Sequence, residues 1–320
     1  MSQTPELSVV GPVFNERESL PEFHARLLKS LRGLGVTFEV IYVDDGSRDG
    51  TGEMLERLAA DAPEIKLLRF SRNFGHQVAI TAGMDHASGR ACVVMDTDGQ
   101  DPPELLGRLV QAWRDGGEIV YAVRARREGE GLFKRATAAL FYRLMRQITN
   151  VDMPLDSGDF RLLDRRALDA MGGLRETHRF MRGLTSWVGF NQVKVVYERQ
   201  ARLAGTTHYP LLKMVRFALD GITSFSHQPL RWVTWMGAAC FVISAGLGGW
   251  ALWVRLFTDE AVRGWTSMMA VVLFLGGVQL ISIGVLGEYL GRIFDEVKNR
   301  PLYILRGAKG FDAPRLVDRR

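Results

Sequence analysis

Residues 38–51, "FEVIYVDDGSRDGT", join a short apolar strand pattern to two aspartates and then to the start of a helical pattern. Helical patterns also separate four similar strand patterns, at "LSVVGPVF" (7–14), "IKLLRF" (65–70), "ACVVMD" (91–96) and "EIVYA" (118–122). Continuous apolar strands that alternate with helices are typical of a parallel sheet covered on both faces. The first ~200 residues therefore predict an α/β domain built on a parallel sheet.

Polar and acidic side chains follow three of these strands. They are Asn15 and Glu16, then Asp44 and Asp45, then Asp96 and Asp98. Ligands of such sheets bind beyond the carboxyl ends of the strands, so we expect a binding site at this edge. The chain has neither a G-x-G-x-x-G after its first strand nor a Walker lysine loop, which removes the main support for an ordinary dinucleotide or P-loop site.

The pattern Asp96-x-Asp98-x-Gln100 indicates a metal site. Converging carboxylates repel one another unless a cation or a proton intervenes. Hard oxygen ligands suit Mg²⁺ or Mn²⁺, whose coordination is completed by phosphate and water. A solvated turn is the alternative here, and a turn with a helix N-cap is an equal alternative for Asp44-Asp45-Gly46-Ser47.

Two long uncharged runs indicate a membrane hairpin. One lies between Arg231 and Arg255, the other between Arg263 and Glu288, and each exceeds the ~20 residues needed to cross the hydrocarbon core. Two buried helices of a soluble core are the alternative, although globular helices rarely lack a polar face for so long. Basic residues flank the hairpin on its outer sides, which predicts that both termini are cytoplasmic. The net charge of +5 suits an anionic partner, whether a phosphate-rich ligand, nucleic acid or acidic lipid.

Several motifs together carry a family resemblance. The chain resembles the GT-A fold family 2 glycosyltransferases in "VVGPVFNERESL", "VDDGSRDGT", "SRNFGHQVAITAGMDHASG", "VVMDTDGQDPPE" and "DSGDFRLLDRRAL". Within that family it is similar to the polyprenyl-phosphate glycosyltransferases, which include dolichol-phosphate mannose synthases, and most of all to bacterial bactoprenol glucosyltransferases. That closer likeness includes "RFMRGLTSWVGF", "GITSFS" and the two apolar runs.

The resemblance implies a metal-dependent, inverting transfer of one sugar, glucose from UDP-glucose, to undecaprenyl phosphate at the cytoplasmic face of the bacterial inner membrane. The implied partners are the nucleotide sugar, the lipid phosphate and the membrane, with no nucleic acid; a homo-oligomer is left open. Three alternatives remain: another donor such as GDP-mannose, a membrane-anchored sugar-nucleotide-binding protein without turnover, and a processive polysaccharide synthase. The last is suggested by the Q-x-x-R-W spacing of Gln228, Arg231 and Trp232.

The resemblance also assigns roles to single residues. The nucleotide-sugar pocket is assigned Pro12, Phe14, Glu16, Asp44, Asp45 and Asp96, and the metal is assigned Asp96, Asp98 and Gln100. The acceptor phosphate is assigned Arg124, Arg135, Ser157, Arg202 and His208. The catalytic residues are expected to be Asp98, Asp159, Arg124 and Arg135, with Asp159 in the loop that closes over the sugar. The histidines His76, His86, His178 and His227 lack a mutual metal spacing and are interpreted as surface or packing residues.

These inferences divide the chain into four predicted parts. Residues 1–205 form a cytoplasmic GT-A glycosyltransferase domain, and 206–230 form an amphipathic segment on the membrane surface. Residues 231–290 form the transmembrane hairpin, and 291–320 form a basic cytoplasmic tail.

Overall fold

The computed structural model describes residues 4–124, 157–197, 226, 228–257 and 264–312. The chain divides into two compact units. One comprises Met1–Pro210 together with Asn299–Arg320, and the other comprises Leu211–Lys298.

The first unit alternates strands and helices in the order that the sequence predicts. Its elements are β1 (Leu7–Val13), α1 (Leu20–Gly33), β2 (Phe38–Asp44), α2 (Thr51–Asp61), β3 (Ile65–Phe70), α3 (His76–His86), β4 (Ala91–Val94), a 3₁₀ turn (Pro103–Leu105), α4 (Leu106–Arg114), β5 (Ile119–Arg124), β6 (Ser157–Asp164), α5 (Arg165–Gly172), α6 (Met181–Trp187), β7 (Gln192–Tyr197) and β8 (Leu305–Lys309). The five predicted strands and the helices between them are confirmed.

All eight strands join one sheet in the order β7-β5-β6-β4-β1-β2-β3-β8. Strands β1 to β4 pair in parallel, and β5 pairs in parallel with β7. However, β6 runs antiparallel to both β4 and β5, and β8 runs antiparallel to β3. The five strands predicted from the sequence all run in one direction, so the parallel sheet is confirmed for them, and the antiparallel strands β6 and β8 are additions that the sequence did not predict. Apolar periodicity reports burial but not strand direction, and only the strands linked by helical crossovers had to be parallel.

The helices bury one face each against this sheet. In α1 the buried residues Leu20, Phe23, Leu27 and Leu31 recur at helical spacing, and burying each contributes about 1.5–3 kcal/mol. Helix α3 packs especially close, because a Cβ on Gly83 would lie 2.2 Å from Cγ1 of Val10 in β1. Close packing of α3 on the central strand brings the start of α3 to the edge where β1 and β4 end.

The second unit contains two long apolar helices, α7 (Gln228–Phe257) and α8 (Trp265–Val297). Each includes a stretch that is long and apolar enough to cross a membrane, Gln228–Trp250 and Phe274–Val297, and neither stretch is buried inside the protein. A core helix of a soluble protein would be mostly covered, so the soluble-core alternative loses its support. The predicted amphipathic segment 206–230 lies outside the described residues, apart from Ser226 and the start of α7.

The C-terminal segment contains a strand that the sequence analysis did not predict. Helix α8 continues to Val297, and Leu305–Lys309 then adds β8 to the outer edge of β3. Part of the segment 291–320 is therefore paired with the sheet, and its predicted place in the cytoplasm stays a prediction. Without β8, β3 would expose an unpaired strand edge, which folded proteins usually cover. A five-residue strand containing Arg306 and Lys309 has too weak a pattern to be recognised from sequence.

Candidate active site

The loops that follow β1 and β2, at the carboxyl edge of the sheet, are joined by hydrogen bonds. The backbone N–H of Asn15 donates to Oγ of Ser47 at 2.9 Å, and the N–H of Arg48 donates back to Oδ1 of Asn15 at 2.9 Å. The N–H of Glu16 donates to Oγ1 of Thr51 at 3.1 Å. Asn15 has a φ of 55°, a left-handed conformation that asparagine tolerates better than most residues. These bonds explain why "NE" after β1 and "DDGSRDGT" after β2 occur together.

A cleft of about 310 Å³ opens at this edge. It is lined by Pro12, Val13, Phe14, Glu16, Asp45, Asn73, Gly75, His76, Ala79, Asp96, Thr97 and Asp98. Five of the six residues predicted for the nucleotide sugar are among them. The ring of Phe14 is 46% exposed, so it offers an aromatic face to a ligand.

The adjacent aspartates Asp44 and Asp45 have different surroundings. Asp45 lines the cleft and accepts backbone hydrogen bonds from Phe74 (2.6 Å) and Gly75 (3.0 Å), while burial raises its pKa. Asp44 is fully buried, accepts from the N–H of Ser47 at 2.9 Å and pairs with Nε of Arg69 at 3.3 Å. The structure thus brings Asp45 to the cleft, whereas Asp44 anchors the turn below it.

The loop after β4 is held in shape by its own side chains. The buried Asp101 accepts the N–H of Asp96 at 3.0 Å, and Oγ1 of Thr97 donates to the carbonyl of Pro12 at 2.9 Å. Gln100 donates its backbone N–H to Oδ1 of Asp98 at 2.9 Å and its side-chain amide to Oδ2. Gln100 therefore orients Asp98 in this structure, and the metal-ligand role predicted for it stays a prediction.

The donor set at this loop fits a divalent cation. Oδ1 of Asp96 is buried and accepts no hydrogen bond from the residues that the structure describes; Nε2 of His76 lies 3.4 Å away as a longer ionic contact. Burial raises the pKa of Asp96, and the charges of Asp159 and Asp98 raise it further. A cation would relieve that repulsion. Within the described residues no three His, Cys, Asp or Glu side chains form a metal-binding group, so phosphate and water would complete the coordination.

Asp159, on β6, is saturated with donors. Its Oδ1 accepts from Nη2 of Arg161 at 3.3 Å and from Nε of Arg182 at 3.2 Å. Its Oδ2 accepts from Nε2 of Gln77 at 3.2 Å and lies 3.4 Å from Nε2 of His76. Burial alone would raise the pKa of Asp159, but His76 and the two arginines outweigh it and hold the pKa well below its usual range. Asp159 is a fixed anion, and its four neighbours leave it poorly suited to accept a proton.

His76 belongs to the site, which the sequence did not reveal. Its Nε2 lies between Asp96 and Asp159, and these carboxylates raise its pKa against the opposing effect of burial. His76 is exposed, in keeping with its interpretation as a surface residue, but its contacts with Asp96 and Asp159 also place it at the cleft. One signal was available: His76 opens a helix that follows a predicted strand, at the edge where ligands bind. His86, by contrast, packs on Tyr303 and Phe311 as expected.

Most of the residues predicted to bind the acceptor phosphate lie outside the part of the chain that the structure describes. Arg124 ends β5 and Ser157 begins β6, and of these two only the backbone is described. Arg135, Arg202 and His208 lie outside the described residues. Their roles at the acceptor phosphate stay predictions.

Comparison with known proteins identifies the class to which this fold and cleft belong. Residues 8–172, more than half of the chain, match the model of Glycosyl transferase family 2. Residues 228–293 match a second model, the GtrB C-terminal hairpin. The chain belongs to glycosyl transferase family 2, and its mixed α/β sheet is the GT-A fold that the motifs predict.

Full-length relatives share both parts of the chain. An uncharacterized glycosyltransferase of Bacillus subtilis, YkcC, is 47% identical over 99% of this chain and 98% of its own length. An uncharacterized glycosyltransferase of Synechocystis sp. is 44% identical over 97% of each chain. The prophage-derived bactoprenol glucosyl transferase of Shigella flexneri is 42% identical over 94% of this chain and 97% of its own.

Proposed function

We propose that the protein transfers one glucose from UDP-glucose to undecaprenyl phosphate, with inversion at the anomeric carbon. One observation carries the proposal: the loop bearing Asp96 and Asp98 borders a cleft that is also lined by Asp45 and by the exposed ring of Phe14. The bactoprenol glucosyl transferases among the relatives support the lipid acceptor and the sugar.

Asp96 and Asp98 would hold Mg²⁺ or Mn²⁺ together with the donor diphosphate. A metal held there would supply stabilisation of the negative charge on the departing diphosphate. Oδ1 of Asp96 is buried and accepts no hydrogen bond from the described residues, which supports this assignment, and so does the exposed position of Asp98 at the mouth of the cleft.

The acceptor needs no strong general base. A lipid phosphate is already an anion at neutral pH, unlike a sugar hydroxyl, so no proton must be removed before it attacks. The low pKa of Asp159 and its four donors suit a positioning role: the carboxylate holds His76 and Arg182 beside the reacting groups. In this account the catalytic role predicted for Asp159 is exerted through these neighbours.

The catalytic unit would lie on the cytoplasmic side of the inner membrane. Helices α7 and α8 are long and apolar enough to cross the membrane as a hairpin. The outer flanks of the hairpin carry Lys213, Arg216 and Arg231 before it, and Arg292, Lys298, Arg300, Arg306 and Lys309 after it, whereas the loop between the helices is charge-balanced. This asymmetry supports cytoplasmic termini.

The donor sugar can be tested with the purified protein in nanodiscs that contain undecaprenyl phosphate. We expect UDP-glucose to support lipid-dependent release of the nucleoside diphosphate much faster than other UDP-sugars or GDP-mannose. Equal release with and without the lipid would favour a hydrolase and contradict the acceptor. Fastest turnover of another nucleotide sugar would keep the reaction but replace the donor.

A further inference from the structure

Two arginines bind the same carboxylate oxygen of Asp159, and they differ in what remains of their hydrogen-bonding capacity. Arg161 is fully buried and also donates to the carbonyl groups of Gly158 and Met181 and to the hydroxyl of Thr185. The guanidinium nitrogens of Arg161 therefore all donate to groups of the protein.

Arg182 is in the opposite situation. It lies in α6, its side chain is 38% exposed, and its Nε donates to Oδ1 of Asp159 at 3.2 Å. Among the described residues, its terminal nitrogens Nη1 and Nη2 make no hydrogen bond. One edge of the guanidinium is thus fixed by a buried anion, and the outer edge is presented with its paired N–H groups. Such an edge matches two oxygens of a phosphate group.

The position of Asp159 in the sheet defines where that edge lies. The sheet order places β2, β1, β4 and β6 side by side. Arg161 pairs with Val94 at the end of β4, and continuing that antiparallel register sets Asp159 opposite Asp96. Arg182 therefore lies on the β6 side of the carboxylates of Asp96 and Asp98, whereas Asp45 lies on their β2 side. In an inverting displacement the attacking group and the leaving diphosphate lie on opposite sides of the sugar.

We propose that the outer edge of Arg182 binds the phosphate of the lipid acceptor. This inference rests on the proposed function and adds to it a residue that the sequence motifs did not assign. The phosphate of the acceptor and the diphosphate of the donor offer similar oxygens, and the position of Arg182 across Asp96 from Asp45 assigns it to the acceptor.

The test compares lipid kinetics with nucleotide binding in the full-length protein in nanodiscs. Arg182→Ala should raise KM for undecaprenyl phosphate about ten- to a hundredfold, because a charge-assisted hydrogen-bond pair is lost. The Kd for UDP, measured by calorimetry, should stay as in the wild type. Arg182→Lys should recover only part of the lipid affinity, since it keeps the charge without the two-pronged geometry. Arg182→Gln, which keeps a donor for Asp159, provides the same comparison if the alanine variant folds poorly.

Arg166→Ala is the matched control. Arg166 is 76% exposed and pairs with Glu118 at 3.1 Å, next to the end of β5 that is opposite Arg124. The substitution therefore removes the same charge far from the cleft. It should leave the lipid KM unchanged. A fall in lipid affinity as large as that of the Arg182 variant would mean that net charge, and not this contact, matters.

A second readout separates this inference from the proposed function. Undecaprenyl phosphate should raise the melting temperature of the wild type more than that of Arg182→Ala, with no donor present. A wild type that makes no glycolipid would defeat the proposed function, and the melting shift would still test Arg182. An unchanged lipid KM and melting shift in Arg182→Ala, or a loss confined to UDP affinity, would overturn the assignment.

Discussion

The hydroxyl of Tyr303 donates a hydrogen bond of 3.0 Å to Oδ2 of Asp85, a residue 218 positions earlier in the chain. Asp85 lies near the end of α3 and also pairs with Arg175 at 2.7 Å. The ring of Tyr303 stacks on Phe70 with centroids 5.5 Å apart, and Phe70 in turn contacts the ring of Phe74. The chain that follows the second apolar helix thus packs against the segment that leads into the cleft.

Tyr303→Ala should destabilise the sheet unit strongly. The side chain is 1% exposed, and removing a buried aromatic ring costs about 3–5 kcal/mol. Tyr303→Phe keeps the ring and should cost only about 0.5–1.5 kcal/mol, because Asp85 retains Arg175. Thermal unfolding of the detergent-solubilised protein provides the measurement. Equal stability of all three proteins would mean that the C-terminal segment does not pack as described.

Glu39 should make the sheet unit less stable in acid. It is 3% exposed, its Oε2 pairs with Lys66 at 2.7 Å, and its Oε1 accepts the N–H of Ser88 at 2.7 Å. Burial opposes ionisation, but these partners and Ser8 outweigh it and lower the pKa of Glu39 in the folded protein. The stabilisation is therefore complete above the ordinary glutamate pKa of 4.5 and is lost as the pH falls through the lower folded pKa.

Glu39→Gln is the test of that ion pair. It should lower the free energy of unfolding at neutral pH by about 1–3 kcal/mol and should flatten the loss of stability below about pH 4.5. Urea unfolding over a range of pH measures both effects. An acid slope identical to that of the wild type would contradict the assignment to Glu39.

The sequence predicts the repetitive half of the fold and misses the strands that close it. Strands β1 to β5 have apolar runs with helices between them, whereas β8 has Leu305 as its one large apolar residue. The site shows the same division. The motif positions bring Asp45, Asp96 and Asp98 to the strand ends. Adjacent residues there point to opposite sides, however, and the sequence pattern does not show which of Asp44 and Asp45 faces the cleft. His76 contacts Asp96 and Asp159, and Arg182 contacts Asp159, so both join the site through residues that lie far away in the sequence.

Asp44 and Asp45 should therefore have separable effects. Asp45→Asn should weaken UDP binding, since it alters a carboxylate that lines the cleft, and should cost about 1–3 kcal/mol of stability because one of the two oxygens that accept from Phe74 and Gly75 is lost. Asp44→Asn removes the buried carboxylate from Arg69, which keeps Glu53 and Glu56, and should lower the free energy of unfolding by about 1–3 kcal/mol while leaving UDP affinity as in the wild type. Calorimetry with UDP and urea unfolding distinguish the two. If Asp44→Asn were stable and failed to bind UDP, the positions assigned to these side chains would be reversed.

Removal of the metal should abolish transfer, and added Mg²⁺ or Mn²⁺ should restore it. Asp98→Asn should remove the metal-dependent part of UDP affinity, measured by calorimetry with and without Mn²⁺, and should keep the melting temperature because Asp98 is exposed. Asp115→Asn, an exposed aspartate at the end of α4, is the matched control and should behave as the wild type. Transfer that persists in a chelator would contradict the metal site.

The most direct test of the proposed function is the mass of the lipid product. Purified protein in nanodiscs, given undecaprenyl phosphate, UDP-glucose and Mn²⁺, should yield a lipid heavier than the acceptor by one hexose, with one UDP released for each lipid glycosylated. The product should be absent with Asp98→Asn and should have the anomeric configuration opposite to that of the donor. A water-soluble polymer without a monoglycosylated lipid would establish the processive alternative and contradict the account.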